Sequence, residues 1–335
     1  MPRRPTPSSS LSHFLTPDTK VTTSATLATL WASYGSILSL TATHPTLLPT
    51  PTKLVLKTIS PPPHASSDDE SHLRKLISYH VERYFYSALA PQLEGRGVKV
   101  ARSFPELLLP QREGNTGVLL LEDLGPAGYP QPAGHVLSSI TGVKAVLTWL
   151  ARFHATFMGK VDEHHLIPPP LEADLDRIDK GIWANGSYWY LATRQDEYRD
   201  MLESGEVEWL EPWVEEVDRL LHDPGAKGRT VLHGDCKAAN IVFSASGTEC
   251  ALYDLQYCGA GVGVVDLVYF LGTSVSGRLL EGGGDEELVG FYAEEVRRAG
   301  GLVEEGVIRE QFEWAVVDWM RFMGGGGGVG EWEVG

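Results

Sequence analysis

Cysteine is scarce in this chain: three in 335 residues, Cys236, Cys250 and Cys258, with no C-x-x-C spacing among them. An odd number without a framework argues against a disulfide scaffold and for reduced thiols in a reducing compartment. Long apolar runs are also missing. None approaches the roughly 18 to 20 residues of a membrane span. Met1 to Lys20 carries Arg3, Arg4 and a Pro/Ser cluster without the apolar core of a signal peptide, and a transit function for this basic start has nothing else in its favour. A cytoplasmic protein that does not enter membranes is expected. Basic residues are in deficit, 28 against 44 acidic ones, for a net charge of −16. That balance excludes the clustered Lys and Arg with which proteins meet nucleic acid. It suits a cationic substrate, or more simply a soluble surface, which is the preferred reading.

A dinucleotide fingerprint is missing as well. Gly259-Ala260-Gly261-Val262-Gly263 has the right flavour, but Val264 or Asp266 stands where the third glycine of G-x-G-x-x-G belongs. The stretch reads as a loop beside a site. No internal repeat is visible. What remains is the composition of an ordinary globular protein, 42% hydrophobic and 21% charged. Its length allows one large domain or two medium lobes, each able to bury a core.

The informative stretch is His233-Gly234-Asp235-Cys236-Lys237-Ala238-Ala239-Asn240. An apolar run, Ile241 to Phe243, follows; Ser246-Gly247-Thr248 makes a turn, and Ala251 to Asp254 forms a second run. Two such runs about a glycine-containing turn predict a β-hairpin. Folded at Gly247, it places Asn240 opposite Asp254 to within a residue and gathers Asp235, Lys237, Asn240 and Asp254 into one polar cluster. An Asp able to take a hydroxyl proton, a Lys for phosphate and two oxygen donors for Mg2+ are the parts that phosphoryl transfer needs. A His-x-Asp pair also occurs in metal sites, but no third His or Cys stands at ligand spacing. Cys236 reads as filling a loop position rather than as a nucleophile.

This segment resembles the catalytic loop and metal-binding segment of the aminoglycoside phosphotransferase and choline kinase superfamily, itself distantly similar to protein kinases. It is most similar to the ecdysteroid-kinase-like (CHK-type) branch, with its H-G-D-x-K-x-x-N followed by D-x-Q; here these are His233, Gly234, Asp235, Lys237 and Asn240, then Asp254 and Gln256. The resemblance implies an α+β, protein-kinase-like fold of two lobes, with a small β-rich N-lobe of the five-stranded type and a larger helical C-lobe. The expected division is a disordered tail over 1–19, an N-lobe over 20–124, a C-lobe over 125–323 and a Gly-rich tail over 324–335. It implies ATP and Mg2+ as cofactors, a small-molecule acceptor with a hydroxyl group, Asp235 and Lys237 as catalytic residues, and Asn240 and Asp254 as metal ligands. His233 braces the loop. Asp266, which opens an apolar helix and suits its cap, bonds by resemblance to the backbone of 233–235. Gln256 replaces the glycine of the protein-kinase D-x-G.

The rest of the chain is read against that expectation. Ile37 to Thr41 alternates as a strand, entered at Gly35, where the family covers the ATP phosphates; one glycine stands there in place of a G-x-G-x-x-G. Lys53 to Ile59 is a second strand stopped by Pro61-Pro62-Pro63. Lys57 within it must send its ammonium to something polar: solvent at a sheet edge, or by resemblance the α/β-phosphates with a helix Glu as partner. Ser67 to Glu70 fits a capping box, and Leu73, Leu76, Ile77, Tyr84 and Leu89 recur at helical spacing to Pro91. Glu82 in that helix is either exposed or the partner of Lys57. Val98 to Phe104 and Val118 to Leu124 predict two strands joined by a turn over 111–117, and the second resembles a kinase hinge, whose backbone near Glu122 and Leu124 would bind adenine. Val143 to Met158 predicts a helix with His154 packed inside. Trp183, Tyr188, Trp189 and Tyr190 form core or a substrate-pocket wall. Phe312, Trp314, Val317 and Met320 predict a last buried helix.

The sequence leaves open whether the acceptor is cationic, as in aminoglycosides or choline, or a neutral sterol-like alcohol. It also leaves open oligomeric state, and a catalytically silent nucleotide-binding or scaffold protein as the rival to an enzyme.

Overall fold

The computed structural model describes residues 11, 13–30, 33–61, 69–110, 117–205 and 208–324. Its N-terminal part is one antiparallel sheet in the order β1 (Lys20–Thr29), β2 (Gly35–His44), β3 (Leu48–Ile59), β4 (Val118–Glu122). Alternation works as read in β3: Leu54 and Leu56 are buried on one face, while Lys57, registered between Ile37 and Leu119, faces the other way. β1 was not foreseen. Its ten residues, KVTTSATLAT, are almost all exposed, so this edge strand shows no apolar alternation to read. The strand expected over Val98 to Phe104 does not form. The segment makes single bridges, Lys99 to Ala251 and Ser103 to Leu121, and bonds β4 through Arg102 O and Phe104 N. Lys99 points its ammonium at Glu122 and Pro105 ends the segment in a 3-10 turn, so the sheet has four strands and not the five expected.

Helix α1 (Glu70–Tyr84) meets the sheet where Tyr79 packs with Tyr34 and Ile59, and continues as a π turn over Phe85–Leu89 and a 3-10 turn to Leu93. Asp69 caps it by accepting from Ser71 N at 2.9 Å; Ser67 and Asp68 of the expected capping box lie outside the described residues. So do the turn over 111–116, Pro62 and Pro63, residues 1–10 and 12 of the N-terminal tail, and 325–335 of the Gly-rich tail.

The C-terminal part is mainly helical: α2 (Ile140–Phe157), α3 (Gln195–Ser204), α4 (Glu211–Leu221), α5 (Val264–Ser274), α6 (Gly284–Arg298) and α7 (Glu305–Gly324). Two small sheets lie among them. One has the order β10 (Cys250–Leu252), β9 (Ile241–Phe243), β5 (Gln131–Pro132); the other has β6 (Leu166–Ile167), β7 (Ile182–Trp183), β11 (Gly259–Val262), β8 (Arg229–Leu232). The glycine stretch expected to be a loop is therefore strand β11, paired antiparallel with β8 and parallel with β7. Its glycines permit close packing: a Cβ on Gly259 would stand 2.6 Å from Gly186 Cα.

Helix α7 is the last buried helix expected, with Phe312, Trp314 and Val317 half-buried against the core. Ile308, Gln311, Ala315, Asp318 and Phe322 point inward, whereas Met320 is exposed. The same side carries a buried ion pair, Arg321 Nε to Asp318 at 2.8 Å, whose guanidinium also donates to Trp189 O at 2.8 Å. All three cysteines are buried and unbridged. Burial pushes the Cys236 thiol well above its usual range, which fits the loop-filling reading. No described helix is long and apolar enough to cross a membrane.

Candidate active site

Between the four-stranded sheet and the helical part lies a cleft of about 1250 Å3, lined by both. The hairpin β9–β10 forms part of its floor in the register expected. Leu252 faces Ile241 and Tyr253 N donates to Asn240 O at 3.2 Å, so Asp254 stands one residue past Asn240. Asp254 holds a left-handed backbone, φ 66°, a conformation that Asp tolerates better than most residues. Its side chain lines the cleft.

Lys57 reaches it from the sheet. Its Nζ lies 2.7 Å from Glu82 Oε2 and 3.1 Å from Asp254 Oδ1. The solvent-facing alternatives for Lys57 and Glu82 are thereby removed: both are buried. Burial pulls the Lys57 ammonium down, but the carboxylates of Asp254 and Glu82 outweigh it and hold the group above its ordinary value, charged at neutral pH. Each carboxylate alone would leave that buried cation half-compensated.

Asp235 sits at the other wall, buried, with three donors. Tyr269 Oη donates at 3.0 Å and Asn240 Nδ2 at 2.9 Å, and the Lys237 ammonium lies 3.2 Å away. Burial raises the carboxyl above the usual range, with Lys237 opposing the shift. Asn240 spends its Nδ2 on both Oδ2 and the backbone O of Asp235, which turns the amide oxygen away from Asp235.

The loop carrying Asp235 is fixed from below. Asp266 accepts from His233 N at 2.7 Å and from Gly234 N at 2.9 Å, and meets His154 Nε2 at 3.1 Å. Asp266 occupies the third position of α5, behind Gly263, so it does not cap the helix as expected; both its oxygens serve the loop and His154. His154 is fully buried and bonded also to Tyr292, the packed histidine foreseen. Gly234 has φ 83°, and a Cβ there would stand 2.0 Å from Tyr257 O, so only glycine fits. His233 accepts from Asp235 N at its Nδ1, 3.2 Å, and its Nε2 faces Tyr253 O at 3.1 Å. Burial lowers its pKa, so a neutral ring donating from Nε2 braces the loop against the hairpin.

Not every expected residue reaches the cleft. Gly35 and Asn240 do not line it: Gly35 pairs with Ile59, packed so tightly that a Cβ would stand 1.8 Å from Thr58 O, and Asn240 is buried with its Nδ2 on Asp235. Leu27 to Thr29 at the end of β1, and Leu30 after them, line the cleft where Gly35 was expected. Trp31 and Ala32 lie outside the described residues. Glu122 and Leu124 both line it, although the Glu122 side chain is engaged by Lys99 at 2.6 Å. Of the aromatic segment, Trp183 and Trp189 are core, whereas Tyr188 lines the cleft. Tyr269, Tyr257, Arg74 and Arg194 were missed. Tyr269 lies in an apolar helix run and reads as core; the others carry no motif.

Among the described residues no group of three or more His, Cys, Asp or Glu side chains could hold a metal unaided. Asn240 and Asp254 nevertheless offer an amide oxygen and a carboxylate on one hairpin end. That donor set suits a hard ion which keeps waters and takes phosphate oxygens from a nucleotide.

The model of the ecdysteroid kinase-like family matches residues 48–301. No curated protein matches. Among solved structures the chain is similar to an amicoumacin kinase in complex with AMP-PNP, Ca2+ and Ami, at 14% identity and a TM-score of 0.51, covering 94% of this chain and 83% of that one. It is also similar to an aminoglycoside phosphotransferase from Streptomyces rimosus in complex with ADP and streptomycin, at 15% identity and 0.46, covering 85% and 90%. A Plasmodium vivax ethanolamine kinase follows at 12% and 0.46, covering 92% and 77%. The amicoumacin kinase likeness shows the fold to be the two-lobed, kinase-like α+β architecture.

Proposed function

The chain belongs to the ecdysteroid kinase-like family, and we propose that it is an ATP- and Mg2+-dependent small-molecule kinase that phosphorylates a hydroxyl group. The observation that carries this reading is Lys57, a buried cation shared between Glu82 and Asp254 at the rim of the cleft that also holds Asp235. A buried charge so arranged is costly to build and serves a partner with phosphate oxygens.

In this reading adenine lies between the apolar side chains of Ile37, Val55 and Leu121, against the backbone of Glu122 to Leu124. Lys57 takes the α/β-phosphates, and Asn240 and Asp254 hold Mg2+, which when bound neutralises phosphate charge. Asp235 aligns the acceptor hydroxyl and accepts its proton as the new O–P bond forms and the bond to the ADP oxygen breaks. Lys237 offsets charge on the γ-phosphoryl group. A carboxylate raised by burial is a stronger base than one in water, which suits that task. Positioning and charge carry most of such a reaction.

Calorimetric titration of ATP with and without Mg2+, beside phosphate transfer to a hydroxyl-compound library, tests the reading. Wild type should bind ATP·Mg2+; Asp235→Asn should bind it as well but transfer about 10²- to 10⁴-fold more slowly. A chain that binds no nucleotide ends the kinase reading. Slow ATP turnover unchanged in Asp235→Asn favours the silent, scaffold-type protein.

A further inference from the structure

The charges around the Asp235 end of the cleft bear on what the acceptor is. The five carboxylates that line the cleft are engaged: Glu82 by Lys57, Glu122 by Lys99, Asp123 by Gly125 N, Asp254 by Lys57, and Asp235 by Tyr269, Asn240 and Lys237. Four of the five are met by a cation, and Asp123, directly after β4, meets only a backbone N–H. The acidic excess of the whole chain is thus a property of its surface and not of this cleft.

Cations are differently placed. Arg74, on the first turns of α1, and Arg194, at the start of α3, both line the cleft. They meet through one loop: Arg74 Nη2 donates to Thr193 O at 3.3 Å, and Arg194 Nε donates to Tyr188 O at 3.3 Å. Each is held by a carboxylate that does not line the cleft, Arg74 by Glu70 at 2.6 Å and Arg194 by Glu197 at 2.9 Å. These contacts orient the guanidinium groups without using all five donors of either. Arg74 Nε is buried and has no hydrogen-bond partner among the described residues. That nitrogen is closed off by protein atoms, so a ligand in the cleft would meet the outer N–H groups, and a guanidinium grips an oxyanion in fork geometry. Tyr188 and Tyr257, ring centroids 5.5 Å apart, stand beside them in the same wall. The Arg194 guanidinium lies 5.1 Å from the Tyr188 ring centre.

We propose that the acceptor is a hydroxyl compound carrying an oxyanion group, a carboxylate, sulfate or phosphate, which Arg74 and Arg194 bind while Tyr188 and Tyr257 pack against its body. This rests on the kinase reading above, and it separates the acceptor class from the ammonium-bearing one.

The test uses three hydroxyl probes of one size and different charge: 4-(hydroxymethyl)benzoate, 1,4-benzenedimethanol and 4-(hydroxymethyl)benzylamine. Their binding to the full chain is measured by calorimetry without nucleotide, and ATP·Mg2+ binding is measured separately. The benzoate should bind at least about tenfold more tightly than the amine, as one fork contact is worth. Arg74→Gln and Arg194→Gln should each erase that preference while ATP·Mg2+ affinity and melting temperature stay near wild type. Arg194→Lys should restore only part of it, since an ammonium lacks the fork. Equal or reversed ranking of the probes, or no binding of the benzoate, overturns the proposal. So does an ATP·Mg2+ affinity that falls with the arginines, because the guanidinium groups then serve the nucleotide. Absence of ATP binding with the benzoate preference intact would overturn the kinase reading and leave the oxyanion site standing.

Discussion

The phenol of Tyr269 donates to Oδ1 of Asp235 at 3.0 Å, from a helix that begins five residues earlier at Val264. That bond favours the charged carboxylate, against the burial that raises its pKa. Tyr269→Phe removes the donor and keeps the ring. The Asp235 pKa should then rise further, so the acidic limb of the pH–rate profile moves to higher pH. The proposed base is active when deprotonated, so turnover at low pH falls most and the loss shrinks as pH rises. Stability should drop by about 1 kcal/mol. An acidic limb at the same pH in both proteins would show that Tyr269 does not tune the base.

Lys57 and Lys53 lie on one strand, four residues apart, and their fates should differ. Lys53 is exposed, whereas Lys57 compensates Glu82 and Asp254 inside the protein. Lys57→Met should cost about 3–5 kcal/mol, the penalty for stranding a buried partner, and abolish nucleotide binding. Adding Glu82→Gln should return part of the stability but none of the binding. Lys53→Met should change neither. Urea denaturation and ATP titration of the three variants beside wild type decide this, and equal effects of Lys53 and Lys57 would mean the wrong lysine has been placed in the site.

The site was legible where chemistry and spacing coincide. The turn at Gly247 sets the register that brings Asn240 beside Asp254, and two apolar runs announce it. Lys57 was legible because an ammonium in an apolar strand demands a partner. Tyr269 was hidden, because a tyrosine within VVDLVYFLGTS reads as one more core side chain. Arg74 and Arg194 were hidden because an arginine on an amphipathic helix or in a loop looks like surface. The β1 strand escaped for the opposite reason to a core strand: an exposed edge built of Thr, Ser and Ala carries no period. Val98 to Phe104 has the composition of a strand, but a lysine that turns to Glu122 and a proline at its end break the ladder into single bridges.

Asp266 should set part of the acid stability. Burial alone would raise its pKa, but the bond to His154 and its other partners hold it below the usual carboxylate value. A depressed folded-state pKa contributes stability that is fully present above the unfolded value, about 3.9, and is lost as pH falls through the folded value. Asp266→Asn keeps one acceptor oxygen but turns an amide N–H toward a second donor, costing about 2–3 kcal/mol near neutral pH. The gap from wild type should close as pH falls below about 3.9. Guanidinium unfolding at a series of pH values measures it; a gap independent of pH would remove the charge on Asp266 from the account.

Two substitutions at the hairpin end separate metal binding from base strength. Asp254→Asn exchanges a carboxylate for a poorer Mg2+ partner and takes from Lys57 one of its two counter-charges. Mg2+-dependent ATP binding and turnover should fall together. Asn240→Asp does something different. It keeps an oxygen for the ion, even adding charge, but it replaces the Nδ2 that lies 2.9 Å from Asp235 Oδ2 with a second carboxylate oxygen. Two like charges at that distance push a carboxyl pKa up. Asp235 then holds its proton at pH values where the wild type has lost it, and turnover falls while ATP·Mg2+ still binds. Raising the pH should restore Asn240→Asp partly and Asp254→Asn not at all. The measurement is Mg2+ dependence of ATP binding by calorimetry, set against the pH dependence of phosphate transfer in both variants. If Asn240→Asp loses Mg2+-dependent binding as fully as Asp254→Asn, then the Asn240 amide serves the ion site through its Nδ2 bond to Asp235 and not through its oxygen alone. The division of labour proposed for the two residues at the hairpin end would then be wrong.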